Sequence, residues 1–331
     1  MSSSHALGST LGPAIASYLS LKKSLGRRFA TETVVLANLD RFLGAYRPDT
    51  SGLTPDSFAA WSVTLAHLTS TVRRNRMRIV RNLCLYMRRS DSECFVPDPG
   101  SFPARHTPRR PHIFTEEQIV RLLRVATDLP PGSTSPLRAN VYRLAIVLLY
   151  TVGLRREELV RLVVSDYDPA ERTLLVRASK FHKSRLVALS HDGAAEMERY
   201  LQARRSPLHK SGGPLLANRS RGPRPYWGAS IGHGLRNLFR SAGVRTADGR
   251  VPRVHDLRHT YAVHALLRWY RSGLDVQAKL PVLATAMGHV SIASTAYYLP
   301  FLEPIAQAAS ERLARHCRDV LPTFSRGGGV L

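Results

Sequence analysis

Five prolines fall between Pro97 and His112, in the stretch PDPGSFPARHTPRRPH, which has no periodic apolar pattern. Proline fixes φ and withholds a backbone donor, so neither a helix interior nor a central strand runs through such a segment. The chain must therefore fold as two bodies joined by a semi-rigid linker, itself basic through Arg105, Arg109 and Arg110. Its 331 residues agree with two domains, at roughly 150 residues each. The spacing predicts an N-terminal domain over 1–96, a linker over 97–112 and a larger domain over 113–331.

The first domain reads as helical. Ile15, Tyr18 and Leu19 lie on one helical stripe, and Leu36, Leu39, Phe42 and Leu43 on another, before Gly44 and Pro48 break the pattern. Thr54-Pro55 opens a third helix, with proline at its first position, running through Trp61 and Leu65. A fourth starts at Thr71. On it the spacing puts Val72, Ile79, Leu83, Tyr86 and Met87 on one face and Arg74, Arg78, Arg81, Arg88 and Arg89 on the other, with no acidic residue until Asp91.

That basic face matches the balance of the whole chain: 48 Lys and Arg against 24 Asp and Glu, a formal charge of +24. Such an excess attracts a polyanion, nucleic acid above all, through release of counterions from phosphates. A membrane span is excluded, because the longest apolar run, Leu144 to Tyr150, falls far short of about 20 residues. The start, Met-Ser-Ser-Ser-His, has neither the charged nor the apolar region of a secretory signal. Three cysteines, Cys84, Cys94 and Cys317, without C-x-x-C spacing point away from a disulfide framework or a structural zinc. A cytoplasmic protein is expected.

In the second domain, Thr115-Glu-Glu-Gln118 reads as a capping box for a helix carrying Ile119, Leu122 and Leu123. Leu137 to Tyr150 is apolar nearly all round, which predicts a central buried helix. Thr173 to Ser179 and Arg185 to Leu189 alternate like two strands, turning through Lys180 to Ser184. Helices follow over His191 to Arg205 and Gly228 to Ala242. The fold class is mainly α with a small β-sheet.

Four short blocks carry the chemistry. Gly153-Leu-Arg155 has Glu158 three residues on; Lys180 lies between the two strands; His255-Asp-Leu-Arg258-His259 puts His255, Arg258 and His259 on one helical face; Gly288-His289 stands nine residues before Tyr298. A tyrosine hydroxyl beside imidazoles and guanidinium groups suits attack on a phosphodiester. In this order and spacing, over roughly 112–316, the blocks resemble those of tyrosine recombinases of the phage integrase family; the helical first domain is similar, more loosely, to that family's SAM-like core-binding domain. The chain departs from the family pattern at Val152 before Gly153, at Ser179 and Phe181 around Lys180, and at Met287 before Gly288. Leu280 to Ala284 and Tyr298-Leu299 look similar to transposon-borne members.

The resemblance implies a site-specific recombinase or integrase that cuts and rejoins duplex DNA through a 3′-phosphotyrosyl intermediate, for integration or excision of a mobile element. Tyr298 would be the nucleophile, with Tyr297 its neighbouring alternative. Arg155, Arg258 and His289 would hold the nonbridging phosphate oxygens, and His255 would assist proton transfer. Lys180, or Lys183 in its place, would protonate the leaving 5′-oxygen, and Glu158 would orient an active-site side chain. No metal and no cofactor are implied. The partners implied are duplex DNA, clamped between the two domains, and further copies of the chain in a tetramer, with or without companion recombinases. A tail helix over 305–317, carrying Ile305, Ala309 and Leu313, would dock on a neighbouring protomer or pack on its own domain. Two other functions remain open at this point: DNA relaxation of the type IB topoisomerase kind, and a non-catalytic DNA-binding accessory role.

Overall fold

The computed structural model describes residues 7–26, 29–46, 52–104, 109–177, 184–204, 213–218, 224–299, 310 and 314. Lys180, Lys183 and the tail stretch 305–317, Ser310 and Ala314 apart, lie outside the described residues. The chain divides into two compact units, Met1–Arg109 and Arg110–Leu331.

Among its described residues the first unit holds four α-helices: α1 (Gly12–Ser24), α2 (Ala30–Tyr46), α3 (Pro55–Thr64) and α4 (Ser70–Met87). Their core contains Ile15, Leu36, Leu39, Trp61, Val80 and Leu83. Thr54 caps α3 by accepting from the Ser57 amide at 3.2 Å, while the Ser57 hydroxyl accepts from the Thr54 amide at 2.9 Å, with Pro55 at a position needing no donor.

On α4 the buried line is Met77, Val80, Leu83 and Cys84. Ile79, Tyr86 and Met87 pack at its margin, and Val72 is exposed. The stripe expected from sequence is thus rotated, because Met77 and Cys84 extend the apolar pattern around the helix and the core selects their side. Arg74 and Arg81, seven residues apart and hence on one flank, bond to the chain beyond the helix. Arg74 Nη1 donates to the carbonyls of Phe102 (3.3 Å) and Pro103 (3.0 Å), and Arg81 Nη1 to that of Pro97 (2.5 Å). Phe102 enters the same core. As far as Pro103, the stretch read as linker therefore packs on α4, and the two units part at Arg109.

The second unit is built on α6 (Arg138–Thr151), which buries Val141, Leu144, Ala145, Ile146, Leu148 and Leu149. At about 1.5–3 kcal/mol for each large apolar side chain, it is the main anchor of the core shared with α5 (Glu116–Thr127), α8 (His191–Arg204) and α9 (Gly228–Ser241). The Thr115–Gln118 capping box of α5 is present. The sheet is antiparallel in the order β1 (Tyr167–Asp168), β2 (Thr173–Val176), β3 (Arg185–Ala188), with Val176 opposite Arg185. β1, only two residues long, has no alternation for a sequence to display. After the short α7 (Arg156–Leu159) and these strands come α10 (His255–Arg271), α11 (Val276–Met287) and α12 (Ala293–Ala296). Val263, Leu266, Leu283, Met287 and Tyr298 belong to their separate apolar cluster.

Candidate active site

The site begins where α6 ends. Gly153 adopts φ +65°, and a Cβ there would collide with the Tyr261 ring, so both the backbone and the space require glycine. Leu154 is buried and leads the chain to Arg155, the N-cap of α7. Glu158, one turn on and 3% exposed, accepts from the Arg155 amide at 2.9 Å and from Arg155 Nη1 at 2.7 Å. The backbone turn thus sets the direction of the arginine.

Three guanidinium groups then meet the last three carbonyls at the end of α11. Arg185 Nε, from β3, donates to Ala286 at 2.8 Å; Arg258 Nη2, from α10, donates to Met287 at 2.5 Å; Arg155 Nη2 donates to Gly288 at 2.8 Å. Arg258 Nη1 also donates to the Gly153 carbonyl. A helix C-terminus carries partial negative charge and unsatisfied carbonyls, and here each is met by a cation. The turn itself closes by bonds from the His289 amide to Ala284 (2.8 Å) and from the Gly288 amide to Thr285 (2.9 Å), a Schellman arrangement. Gly288 supplies its φ of +64°.

This turn presents His289, whose Nδ1 lies 2.8 Å from the hydroxyl of Thr295, a residue buried in α12. With Thr295 donating to Nδ1, the imidazole proton sits on Nε2 and is available to an anion. The Tyr298 ring lies between two imidazoles, 5.4 Å from His259 and 6.2 Å from His289, while His255 stands 4.7 Å from His259. Tyr298 is 3% exposed and Tyr297 is 40% exposed.

Electrostatics follow from this packing. Burial alone would raise the Glu158 carboxyl, but the bonds from Arg185 and Arg155 hold it at about 2, so it is an anion throughout the working range. Desolvation, with Arg155 next to it, lowers Arg258 to about 10, still charged at neutral pH. Desolvation and the nearby guanidinium groups bring His255, His259 and His289 down to about 4; His255 nonetheless keeps an exposed edge. Neutral imidazoles can accept a proton. Burial raises Tyr298, against the opposing pull of the nearby Arg258 charge. Three guanidinium groups share the site with one carboxylate, leaving a positive excess that complements a phosphate gaining charge on attack.

Arg155, Glu158, Arg258, His289 and Tyr298 are therefore gathered at one place, with His255 reaching it through His259. Sequence reasoning assigned no role to Arg185, His259 or Thr295. The signal for Arg185 was its place two residues before buried Val187, on the inward side of a strand. His259 lies one turn from His255. Thr295 carried no signal. In the first unit Arg78, Arg88 and Arg89 are exposed, Arg88 and Arg89 standing beyond the last turn of α4. Among the described residues, no three or more His, Cys, Asp or Glu side chains cluster as metal ligands, and no helix is long and apolar enough to cross a membrane.

A family model described as "Phage integrase family" matches residues 112–302. "Putative integrase/recombinase y4rB" of Sinorhizobium fredii is 32% identical over 94% of this chain and 99% of its own. "Tyrosine recombinase XerA" of Thermococcus kodakarensis is 29% identical over 71% of this chain and 74% of its own. Among solved structures, the Tn1549 transposon integrase in complex with transposon right end DNA shares the fold, with a TM-score of 0.61 at 18% identity, covering 91% of this chain and 99% of that one.

Proposed function

The chain belongs to the phage integrase family, and we propose that it is a site-specific recombinase cutting and rejoining duplex DNA through a phosphotyrosyl bond. The observation that carries this reading is the gathering of Arg155 and Arg258 at the end of α11, with the rings of His289 and Tyr298 beside them and the Arg258 charge acting on the Tyr298 hydroxyl. Tyr298 attacks the scissile phosphate, forming the phosphotyrosyl bond and releasing a 5′-hydroxyl. Arg155 and Arg258 each keep N–H groups beyond those given to carbonyls and Glu158, enough to donate to the nonbridging oxygens. His289 donates through Nε2, and His255, neutral at pH 7, assists removal of the tyrosine proton through His259, the imidazole that lies against Tyr298. Lys180 or Lys183 protonates the leaving oxygen. The phosphotyrosyl bond conserves the energy for religation. Exposed Arg78, Arg88 and Arg89 add affinity for the DNA backbone.

The experiment is covalent capture on a nicked suicide substrate. Tyr298→Phe should abolish the adduct with DNA binding kept within a few-fold, whereas Tyr297→Phe should form it; the reverse result would make Tyr297 the nucleophile. Relaxation of supercoiled DNA without exchange of strands would favour the topoisomerase reading instead, and DNA binding with no adduct from the intact chain the accessory one.

We further infer that exchange occurs in a tetramer assembled through the tail, 305–317, and that it serves a mobile element. The apolar stripe of Ile305, Ala309 and Leu313 supports the first point, and the kinship to an integrase/recombinase the second. Truncation after Phe301 should leave single-site binding intact and remove slower-migrating synaptic complexes in a gel-shift assay. Full-rate recombination by the truncated chain would rule the tail out of assembly. Absence of a mobile-element boundary in the flanking genomic DNA would count against the second point.

A further inference from the structure

The guanidinium of Arg185 differs from its two neighbours in having no nitrogen left uncommitted. Nε donates to the Ala286 carbonyl at 2.8 Å, Nη1 to Glu158 Oε1 at 3.1 Å and Nη2 to Glu158 Oε2 at 2.9 Å. Its side chain is 8% exposed, against 24% for Arg155. Glu158 is equally committed: Oε1 accepts from Arg155 Nη1 and Arg185 Nη1, and Oε2 from the Arg155 amide and Arg185 Nη2. That uses about four lone-pair sites, all that a carboxylate offers. Gly288 leaves the room, since a Cβ there would stand 2.8 Å from Arg185 Nη1. Arg185 is also the first residue of β3, five positions after Lys180 in the chain.

We propose that Arg185 is a positioning residue for strand cleavage, setting Arg155 through the shared Glu158 carboxylate and His289 through the Ala286 carbonyl, without touching phosphate itself. This rests on the recombinase reading above. The physical reason is geometric. A planar fork satisfies a carboxylate with two parallel bonds and still presents Nε to a third acceptor, and a lysine ammonium cannot reproduce that arrangement. Without it, Glu158 is a buried anion held from one side only, and the turn carrying His289 loses one of the three cations at its carbonyls. Arg185 further ties the base of the β2–β3 hairpin to the same point.

The test is single-turnover adduct formation by the full-length chain on suicide DNA, with DNA affinity measured in parallel across a range of pH. R185Q should slow adduct formation by about 10- to 100-fold, as expected when a reacting group shifts by an ångström or less, with affinity changed no more than a few-fold. Its acid limb should move to higher pH than that of the intact chain, because Glu158 loses the bonds that keep it ionised. R185K should recover part of the rate. E158Q/R185Q should be no slower than the slower single variant, since the two act as one unit. Full-rate cleavage by either R185K or R185Q overturns the assignment. So does a loss that is equal at every pH and multiplies with that of E158Q. If R185Q does not fold, the rate and pH profile of R185K decide. An intact chain that forms no adduct overturns the recombinase reading and this assignment with it, whereas adduct formation by the intact chain with R185K at full rate overturns the assignment alone.

Discussion

Arginine is used in two different ways in this molecule. In the second unit, Arg155, Arg185 and Arg258 are drawn into the fold by a buried carboxylate and by consecutive carbonyls at the end of α11. In the first unit, Arg78, Arg88 and Arg89 stand exposed on and just beyond α4, while Arg74 and Arg81 fasten the chain that follows. A fixed, desolvated guanidinium acts at one point, where low dielectric magnifies its effect on a developing charge. An exposed one contributes to a field that salt screens. Positive charge alone distinguishes none of these roles; the acceptor each group finds does.

The largest effect that could break this contrast is expected at Arg258. Arg258→Lys keeps the charge but cannot span the Gly153 and Met287 carbonyls. Adduct formation should fall by roughly 10²- to 10³-fold, the range for losing a preorganised donor, while affinity for DNA changes only a few-fold. Single-turnover kinetics at saturating DNA would show it; a near-native rate would mean that the buried guanidinium contributes charge and nothing more.

On α4 the expected effects are smaller and of another kind. Replacing Arg78, Arg88 and Arg89 with Gln should reduce the log–log salt slope of binding by roughly 0.9 per lost phosphate contact, leaving the saturated cleavage rate unchanged. A slope equal to that of the intact chain would show these three to be solvated only. Arg74→Gln with Arg81→Gln should instead lower the unfolding midpoint of the first unit, at about 1 kcal/mol per lost hydrogen bond, and leave the slope as it was. A fallen slope with an unchanged midpoint would return both to the DNA-binding face.

Much of the site was legible in the residues because chemistry limits which types can serve. Gly153 and Gly288 marked turns that need positive φ, Arg155 and Arg258 followed at fixed intervals, and His289 and Tyr298 closed the series. The capping box at Thr115, the proline that opens α3 and the apolar length of α6 were equally plain, since each depends on neighbours within a few residues. What stayed hidden depended on distant ones. The true buried side of α4 was chosen by the other helices of its unit, and β1 exists only because β2 pairs with it.

The sequence by itself pointed to two units, to the mainly helical class, to the position of the hairpin and to a candidate set of reactive groups. Those features rest on local sterics, on apolar periodicity and on the small set of side chains able to activate or hold a phosphodiester. Only the tertiary structure decided that Arg185 shares Glu158 with Arg155, that Arg74 and Arg81 bond to backbone carbonyls, and that Thr295 orients His289. Each of these bonds joins groups that local rules leave unpaired, and burial makes an unpaired charge or carbonyl costly. The partner is then settled by which elements the core brings together, a choice made across 133 residues for Arg155 and Gly288 and 101 for Arg185 and Ala286.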